Sequence, residues 1–403
     1  MTDHVLNHAP GLEADARYGR LLKDGRKINV CHLASGDLWA GAEVQLVLLV
    51  SSLHRIPEFD ISVVLLNDGG AATELQRRGI STTVIPESRY SAASIVRQLA
   101  GHFSRHQVDV LHTHNFKDNV LGIVSTLPRM ACRRVRTVHG RGEPFTGLAA
   151  AKMRLYRRID HFFINRWIDR IVAVSVDLQG DLAKSFGAQR VKCIHNGIAL
   201  EQVKVTKPPR ELRRELNIGP QEFVIGTMGR LVPVKGLETF LKAARIIRAR
   251  TDTVKFLVVG DGPLKGALEA LTRHYELERD VLFLGHRDDS YDLLAMMDVL
   301  VLPSLSEGIP MVLLEALALA RPVVASAVGG IPEVIEDRVS GWLVAPRRDG
   351  EIADACIALM NDGDLADRFG LAGQQRVSQH FSVRSMAEKV AGVYRTLLQT
   401  TQR

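Results

Sequence analysis

Two carboxylates, Glu307 and Glu315, stand with seven residues between them in the stretch LPSLSEGIPMVLLEALALARPVVASAVGGIPE, Leu302 to Glu333. Gly308 gives the backbone room to turn, and Pro310 has the fixed φ that suits the first turn of a helix. From Pro310 the pattern MVLLEALALA is helical and almost wholly apolar, which predicts a buried helix. Glu307 then sits in the loop before the helix and Glu315 inside it. A buried charge needs a partner. The start of the helix offers free N–H groups and the positive end of its dipole, a place for a phosphate. Glu315 lies roughly 7.5 Å along the axis from Pro310. A nucleotide-sugar with its diphosphate at the helix start would put sugar hydroxyls at Glu307 and ribose hydroxyls at Glu315. The plainer alternative is a Glu that favours the helix dipole and a buried Glu bonded to a neighbouring strand.

A second set of chemical groups precedes this one. Phe223–Met228 (FVIGTM) reads as a strand that runs into Gly229-Arg230-Leu-Val-Pro-Val-Lys235-Gly236 and then a helix, Leu237–Arg250. Two fixed cations beside a glycine-flanked turn can hold a diphosphate and stabilise it as a leaving group. A lone Arg or Lys would more simply be a solvated surface group.

The pattern resembles the donor-site signature of the retaining glycosyltransferases of family four, which have the two-domain GT-B fold. There, Glu, seven residues and Glu are followed by a strand and a Gly-Gly turn, as RPVVAS and Gly329-Gly330 follow here. The likeness runs from Ile28 to about Phe381 and is most specific in the second half. It implies that Arg230 and Lys235 take the diphosphate charge in place of a metal. It assigns the donor nucleotide-sugar to Gly308, Ile309, Met311, Val312 and Glu315, and the base to the backbone of Gly285, His286 and Arg287. It implies that His139 contacts the donor sugar across the cleft, and that a polar loop with His114, Asn115 and Lys117 lines the acceptor side.

The rest of the chain must position these groups. At 403 residues it is long enough for two domains. The predicted organisation is a flexible segment 1–26, an acceptor-side domain 27–200, a linker 201–220 around Pro208-Pro209, a nucleotide-sugar domain 221–381, and a helix 382–403 that returns to the first domain. The opening INVCHLA strand, glycine turn and helix from about Ala42 mark a doubly wound α/β domain. Gly41 would let the backbone approach the donor diphosphate. The family often has a second glycine where this chain has Ala40. Further strands are expected at Phe59–Leu66, Thr82–Ile85, Val108–His112, Arg136–His139, Ile171–Ser175 and Val191–His195. The Asn196-Gly197 turn is given a structural role. His112 and His114 alternate and so share one face of a strand. With no third ligand nearby in sequence, they are not read as a metal site.

Composition narrows the classes. No apolar run is long enough to span a bilayer, and the first residues lack the apolar core of a signal peptide. Cys31, Cys132, Cys193 and Cys356 form no CxxC pair and read as buried thiols of a reducing cytoplasm. Residues 1–200 hold 26 Lys+Arg and 18 Asp+Glu, against 26 and 27 in the remainder, so the basic excess is all in the first half. That asymmetry argues for an anionic partner. In Ala149–Arg170, Met153, Tyr156, Ile159, Phe163 and Trp167 recur at helical spacing among Lys152, Arg154, Arg157, Arg158, Arg166 and Arg170, with Arg129, Arg133, Arg134, Arg136 and Arg141 before them. A basic helix with aromatics suits an anionic membrane surface; a solvated basic face with its aromatics in the core is the alternative. No nucleic-acid motif is present. GDGPLKG at Gly260 lacks the dinucleotide spacing, which argues against a dehydrogenase. The adjacent Asp288-Asp289 is not read as a metal-binding DxD.

The sequence therefore predicts a metal-free, retaining glycosyltransferase that uses a UDP- or GDP-sugar. It would be cytoplasmic, with peripheral attachment to the inner membrane, and its acceptor lipid-linked or a cell-surface polysaccharide or lipopolysaccharide. The rivals are a nucleotide-sugar 2-epimerase of the same architecture and a silent sugar- or lipid-binding protein.

Overall fold

The structure is a computed structural model that describes residues 26–37, 40–127, 132–141 and 147–399, with no side-chain detail for 147–151. Residues 1–25 of the segment expected to be flexible, Arg129 of the basic run, and positions 400–403 lie outside the described residues.

The first lobe alternates strand and helix. Its elements are β1 (Ile28–Ala34), α1 (Gly41–Leu53), β2 (Phe59–Leu65), α2 (Gly70–Arg77), β3 (Ser81–Val84), α3 (Ala92–Arg105), β4 (Val110–Thr113), α4 (Phe116–Thr126), β5 (Arg133–Val138), α5 (Gly147–Trp167), β6 (Arg170–Ala173), α6 (Val176–Phe186) and β7 (Val191–Cys193). The second lobe follows α7 (Pro209–Glu215). It holds β8 (Phe223–Met228), α8 (Leu237–Arg248), β9 (Val254–Val259), α9 (Lys265–His274), β10 (Val281–Gly285), α10 (Ser290–Met296), β11 (Val299–Leu302), α11 (Met311–Ala318), β12 (Val323–Ser326), α12 (Ile331–Val334), β13 (Trp342–Val344), α13 (Asp349–Asn361) and α14 (Gly363–His380). Helix α15 (Val383–Gln399) closes the chain.

Both sheets are parallel. The strand order is 3-2-1-4-5-6-7 in the first and 10-9-8-11-12-13 in the second. Helices cover both faces, so inner strands such as VLVL (β11) and VVAS (β12) are buried at every position. Each order reverses beside its first strand, between β1 and β4 and between β8 and β11. A crevice for ligands forms outside the carboxyl ends of the strands at such a point.

Two expectations need correction. The stretch read as a polar loop from His114 to Lys117 is only half loop: helix α4 begins at Phe116, because Asn115 and Asp118 form a capping box that satisfies the first free N–H groups. Helix α11 starts at Met311, with Pro310 as an extended N-cap.

Helix α15 packs on α1 of the first lobe, as expected of the returning helix. Tyr394 is fully buried with its ring edge-on to Phe59, 5.8 Å between centroids, and Arg395 Nε donates to Glu58 Oε1 at 2.7 Å. The Asn196-Gly197 turn lies beside the start of α15. Ile198 N donates to Phe381 O at 2.8 Å and Val383 N to Ile198 O at 3.0 Å.

Candidate active site

The cations stand where β8 ends. After Met228 come Gly229 and Arg230, then a 3-10 turn, Pro233–Lys235, that leads into α8 through Gly236. Gly236 has φ +64°, and a Cβ there would lie 2.1 Å from the Pro303 carbonyl, so only glycine lets the two loops meet. Arg230, Lys235, Gly229, Thr227 and Ser304 line one small recess at the strand ends. Lys235 Nζ lies 2.8 Å from Glu307 Oε1, and Ser304 Oγ donates to the same oxygen at 2.7 Å. Arg230 and Lys235 therefore share one recess, and Lys235 and Ser304 tie the Glu307 carboxylate to its edge.

Glu307 is held by the turn that follows β12. Gly330 N donates to Gly308 O at 2.9 Å. At Gly308 a Cβ would stand 2.2 Å from the carbonyl oxygen of His139, so this loop touches the first lobe backbone to backbone. The amides of Gly308, Ile309, Met311 and Val312 donate to no group among the described residues. They present free N–H groups at the start of α11, where an anion can be held. The side chains of Ile309 and Met311 are buried, so these residues offer backbone only. Glu315, partly buried a turn further on, makes no side-chain bond among the described residues, and burial pushes its carboxyl up to about 7. The neighbouring strand that could have held it does not.

Across the cleft, Gly41 opens α1 opposite Met311; a Cβ there would meet Met311 Cγ at 3.7 Å, an ordinary contact. Glu43 in the same turn was not singled out from the sequence. It is buried, its carboxyl is raised to about 7 by burial, and Arg230 lies within electrostatic reach. His139 follows β5, and its Nε2 lies 3.2 Å from His114 Nδ1. His114 is bonded on its other side to His32, at 3.0 Å. The pair His112 and His114 thus has a third histidine beside it. The parallel register places His32 opposite His112, a neighbour invisible in the linear sequence.

The acceptor-side residues are dispersed. His114 is buried between two other imidazoles, Asn115 caps α4, and Lys117 pairs with Glu87. At the end of β10, Gly285 O accepts from Gly260 N at 2.8 Å, along the strand ends that lead to Gly229. Arg287 chelates Asp289 at 2.8 and 2.5 Å, and His286 is exposed.

The lobes are also tied by groups the sequence did not suggest. Glu333 accepts from Val176 N (2.9 Å) and Asp177 N (3.1 Å) at the start of α6, and from His195 Nε2 (2.7 Å). Asn196 Nδ2 donates to Ile309 O at 2.8 Å. Cys193 lies nearby, its thiol pushed up to about 11 by burial.

Helix α5 corrects one detail. Met153, Tyr156, Ile159, Phe163 and Trp167 form its packed side, with Tyr156 stacked on Phe116 at 5.3 Å. Among the described side chains of α5, the large apolar ones that face solvent are Leu155 and Phe162, 57% and 59% exposed, among the cations. Among the described residues no helix is long and apolar enough to cross a membrane.

With this geometry established, comparison with known proteins is informative. The family "Glycosyl transferases group 1" matches residues 209–376, and "Glycosyltransferase Family 4" matches residues 39–202. The N-acetyl-alpha-D-glucosaminyl L-malate synthase of Bacillus anthracis is 28% identical over 308 residues, 75% of this chain and 78% of that one. The UDP-Gal:alpha-D-GlcNAc-diphosphoundecaprenol alpha-1,3-galactosyltransferase of Escherichia coli is 25% identical over 377 residues, 88% and 96% of the two chains. The crystal structure of Anabaena HepE in complex with UDP-glucose superposes with a TM-score of 0.79 at 24% identity, covering 92% of this chain and 100% of that one. A strand-end recess with two cations, facing a second lobe of the same architecture, is thus accompanied by matches along nearly the whole length, and the chain belongs to the group 1 and family 4 glycosyltransferases of GT-B fold.

Proposed function

We propose that this glycosyltransferase moves a sugar from a UDP- or GDP-sugar to a hydroxyl with retention of anomeric configuration and without a metal. The observation that carries the reading is that Arg230 and Lys235 line one recess, with Glu307 paired to Lys235 at 2.8 Å, beside four amides that donate to no group among the described residues. Arg230 and Lys235 take the charge of the departing diphosphate. The amides of Gly308 to Val312 receive its oxygens. Glu307, released from Lys235 as the phosphates arrive, orients the sugar. Glu315 accepts from the ribose hydroxyls, which answers its lack of a protein partner. No side chain is assigned as a covalent nucleophile; the leaving phosphate takes the acceptor proton on the face from which the sugar is attacked.

The acceptor is lipid-linked or a surface polysaccharide. The Escherichia coli relative is named for a diphosphoundecaprenol acceptor, and the Anabaena structure is a complex with UDP-glucose. Leu155 and Phe162 stand among Arg154, Arg157, Arg158 and Arg166 on α5, a suitable contact for an anionic membrane surface. A thermal-shift screen of UDP- and GDP-sugars, each with EDTA and with magnesium, tests the donor assignment. One sugar should raise the melting temperature equally in both conditions. Stabilisation that requires magnesium would reject the metal-free reading, and a β-linked product from an α-linked donor would reject retention.

A further inference from the structure

A chain of buried polar groups runs from the returning helix to the cleft. Thr137 Oγ1 lies 2.7 Å from His112 Nε2, and His112 Nδ1 lies 2.5 Å from Tyr394 Oη. Tyr394 Oη lies 3.3 Å from His32 Nε2, His32 Nδ1 3.0 Å from His114 Nε2, and His114 Nδ1 3.2 Å from His139 Nε2. The last free atom, His139 Nδ1, is buried and has no partner. A metal does not explain the cluster. The candidate ligand atoms of His32, His112 and His114 spread to 4.8 Å. The nitrogens of a tetrahedral zinc site lie roughly 3.4 Å apart, and here each is already in a hydrogen bond to another imidazole, to Tyr394 or to Thr137.

Burial keeps every ring neutral. It lowers His32 to about 3 and His139 to about 4, lowers His112 and His114 well below the ordinary range, and raises the Tyr394 phenol well above its own. A neutral imidazole has one N–H and one lone pair. Each ring that donates on one side must therefore accept on the other. Only the Tyr394 hydroxyl could break the run, by accepting from both His112 and His32, and its own hydrogen would then be buried without an acceptor among the described residues. Two polarities leave Tyr394 satisfied. If the bonds run toward Thr137, its hydroxyl hydrogen is left without an acceptor among the described residues, and His139 Nδ1 is a bare lone pair. If they run toward His139, Thr137 donates to His112, and the only orphan donor is His139 Nδ1–H. An oxygen of a ligand can satisfy that one, and buried donors are rarely left unpaired.

We propose that Tyr394, His32, His112 and His114 are positioning residues whose hydrogen-bond chain fixes His139 as the tautomer protonated at Nδ1, ready to donate to an oxygen of the bound sugar donor. The inference rests on the reading of His139 as a donor-site residue. It ties that ring to α15, the element that joins the end of the chain to the first lobe.

Tyr394→Phe tests it, because the ring and its packing on Phe59 stay while the hydroxyl goes. Nitrogen-15 NMR of histidine-labelled protein, ligand-free and with UDP, should show His139 protonated at Nδ1 in the native chain. In Y394F its signals should move toward an average of two tautomers, although two imidazoles separate residues 394 and 139. With the donor found by the nucleotide-sugar screen, Y394F should lower kcat roughly tenfold and leave KM within about twofold. In a His139→Asn background the same change should cost less than about twofold, the non-additivity expected of groups that act through one another. A native His139 protonated at Nε2, or His139 signals untouched by Y394F, would overturn the chain even if transfer and H139N behave as proposed. A fully active H139N would instead remove His139 from the reaction, and the positioning role with it. Should Y394F not fold, Thr137→Val removes the hydroxyl at the far end and should give the same change in the His139 signals.

Discussion

The second lobe builds its half of the cleft from two local turn motifs that the sheet sets side by side, whereas the first lobe builds its half from single residues that carry no local motif and meet only across the sheet. Arg230 and Lys235 belong to one strand–turn–helix unit, and Glu307, Gly308 and Glu315 to the next unit but two. Their chemistry is ionic: a salt bridge, free amides and a small recess. His32 and His114 are 82 positions apart and meet because β1 and β4 are neighbours. Their chemistry is neutral and buried. An anion-binding half that faces a neutral half fits a reaction in which charge builds on the diphosphate and the acceptor is a hydroxyl.

If that division is right, the largest losses come from the second lobe. Arg230→Ala should lower kcat/KM by about 10³-fold, in the range seen when a charge-stabilising donor is removed. Glu307→Gln should act mainly on kcat, and neither variant should shift the melting temperature by more than a few degrees. Transfer kinetics and thermal unfolding check both, and full activity in either variant would break the comparison. Gly308→Ala comes next. Its Cβ would overlap the His139 carbonyl at 2.2 Å and Val174 Cγ2 at 2.7 Å, so the lobes must part at the site. We expect roughly 10²-fold loss of turnover, consistent with misplacement by about an ångström, and a larger radius of gyration in solution scattering.

The same contrast explains what could be read beforehand. Arg230, Lys235 and Glu307 were legible because a glycine turn between a strand and a helix is a local pattern. Glu315 was legible as a charge in an apolar helix. His32, Glu43 and Glu333 were not, because each acquires its meaning from a partner far along the chain: His114, the charge of Arg230, and the start of α6. Helix α4 was hidden behind the polar run HNFKDN, whose Asn115 and Asp118 are cap residues and not loop residues. On α5, spacing found a face but not which way it points. The regular series Met153 to Trp167 packs inward, and the membrane reading now rests on Leu155 and Phe162.

A third prediction concerns protonation. Glu315 is raised to about 7 from an ordinary value of 4.5. Because the folded value is the higher one, its contribution to stability is complete below the unfolded pKa and is lost as pH rises through about 7. Ribose hydroxyls donate to the anion, so donor affinity should run the other way and weaken roughly tenfold between pH 8 and pH 6. Glu43 and Asp118 are raised to about 7 as well. Glu315→Gln therefore identifies the group: it should flatten the affinity profile by calorimetry and raise the melting temperature at pH 8. A profile as steep in E315Q as in the native chain would move the ribose elsewhere.

The smallest effect belongs to the contact that spans both lobes. Glu333 places a carboxylate on the N-terminus of α6 and on His195, where a negative charge gains about 0.3–1 kcal/mol from the helix dipole. Glu333→Gln keeps one acceptor oxygen and removes the charge. If the second lobe binds the donor by itself and closure against the first follows, E333Q should weaken donor binding by no more than about fivefold, the equivalent of 1 kcal/mol. The charged recess at Arg230 is untouched, so the loss should appear in KM and leave kcat nearly unchanged. A fall in kcat as large as that of G308A would mean that the two halves are a single cooperative site and that the histidine side is as much part of the anion machinery as Lys235.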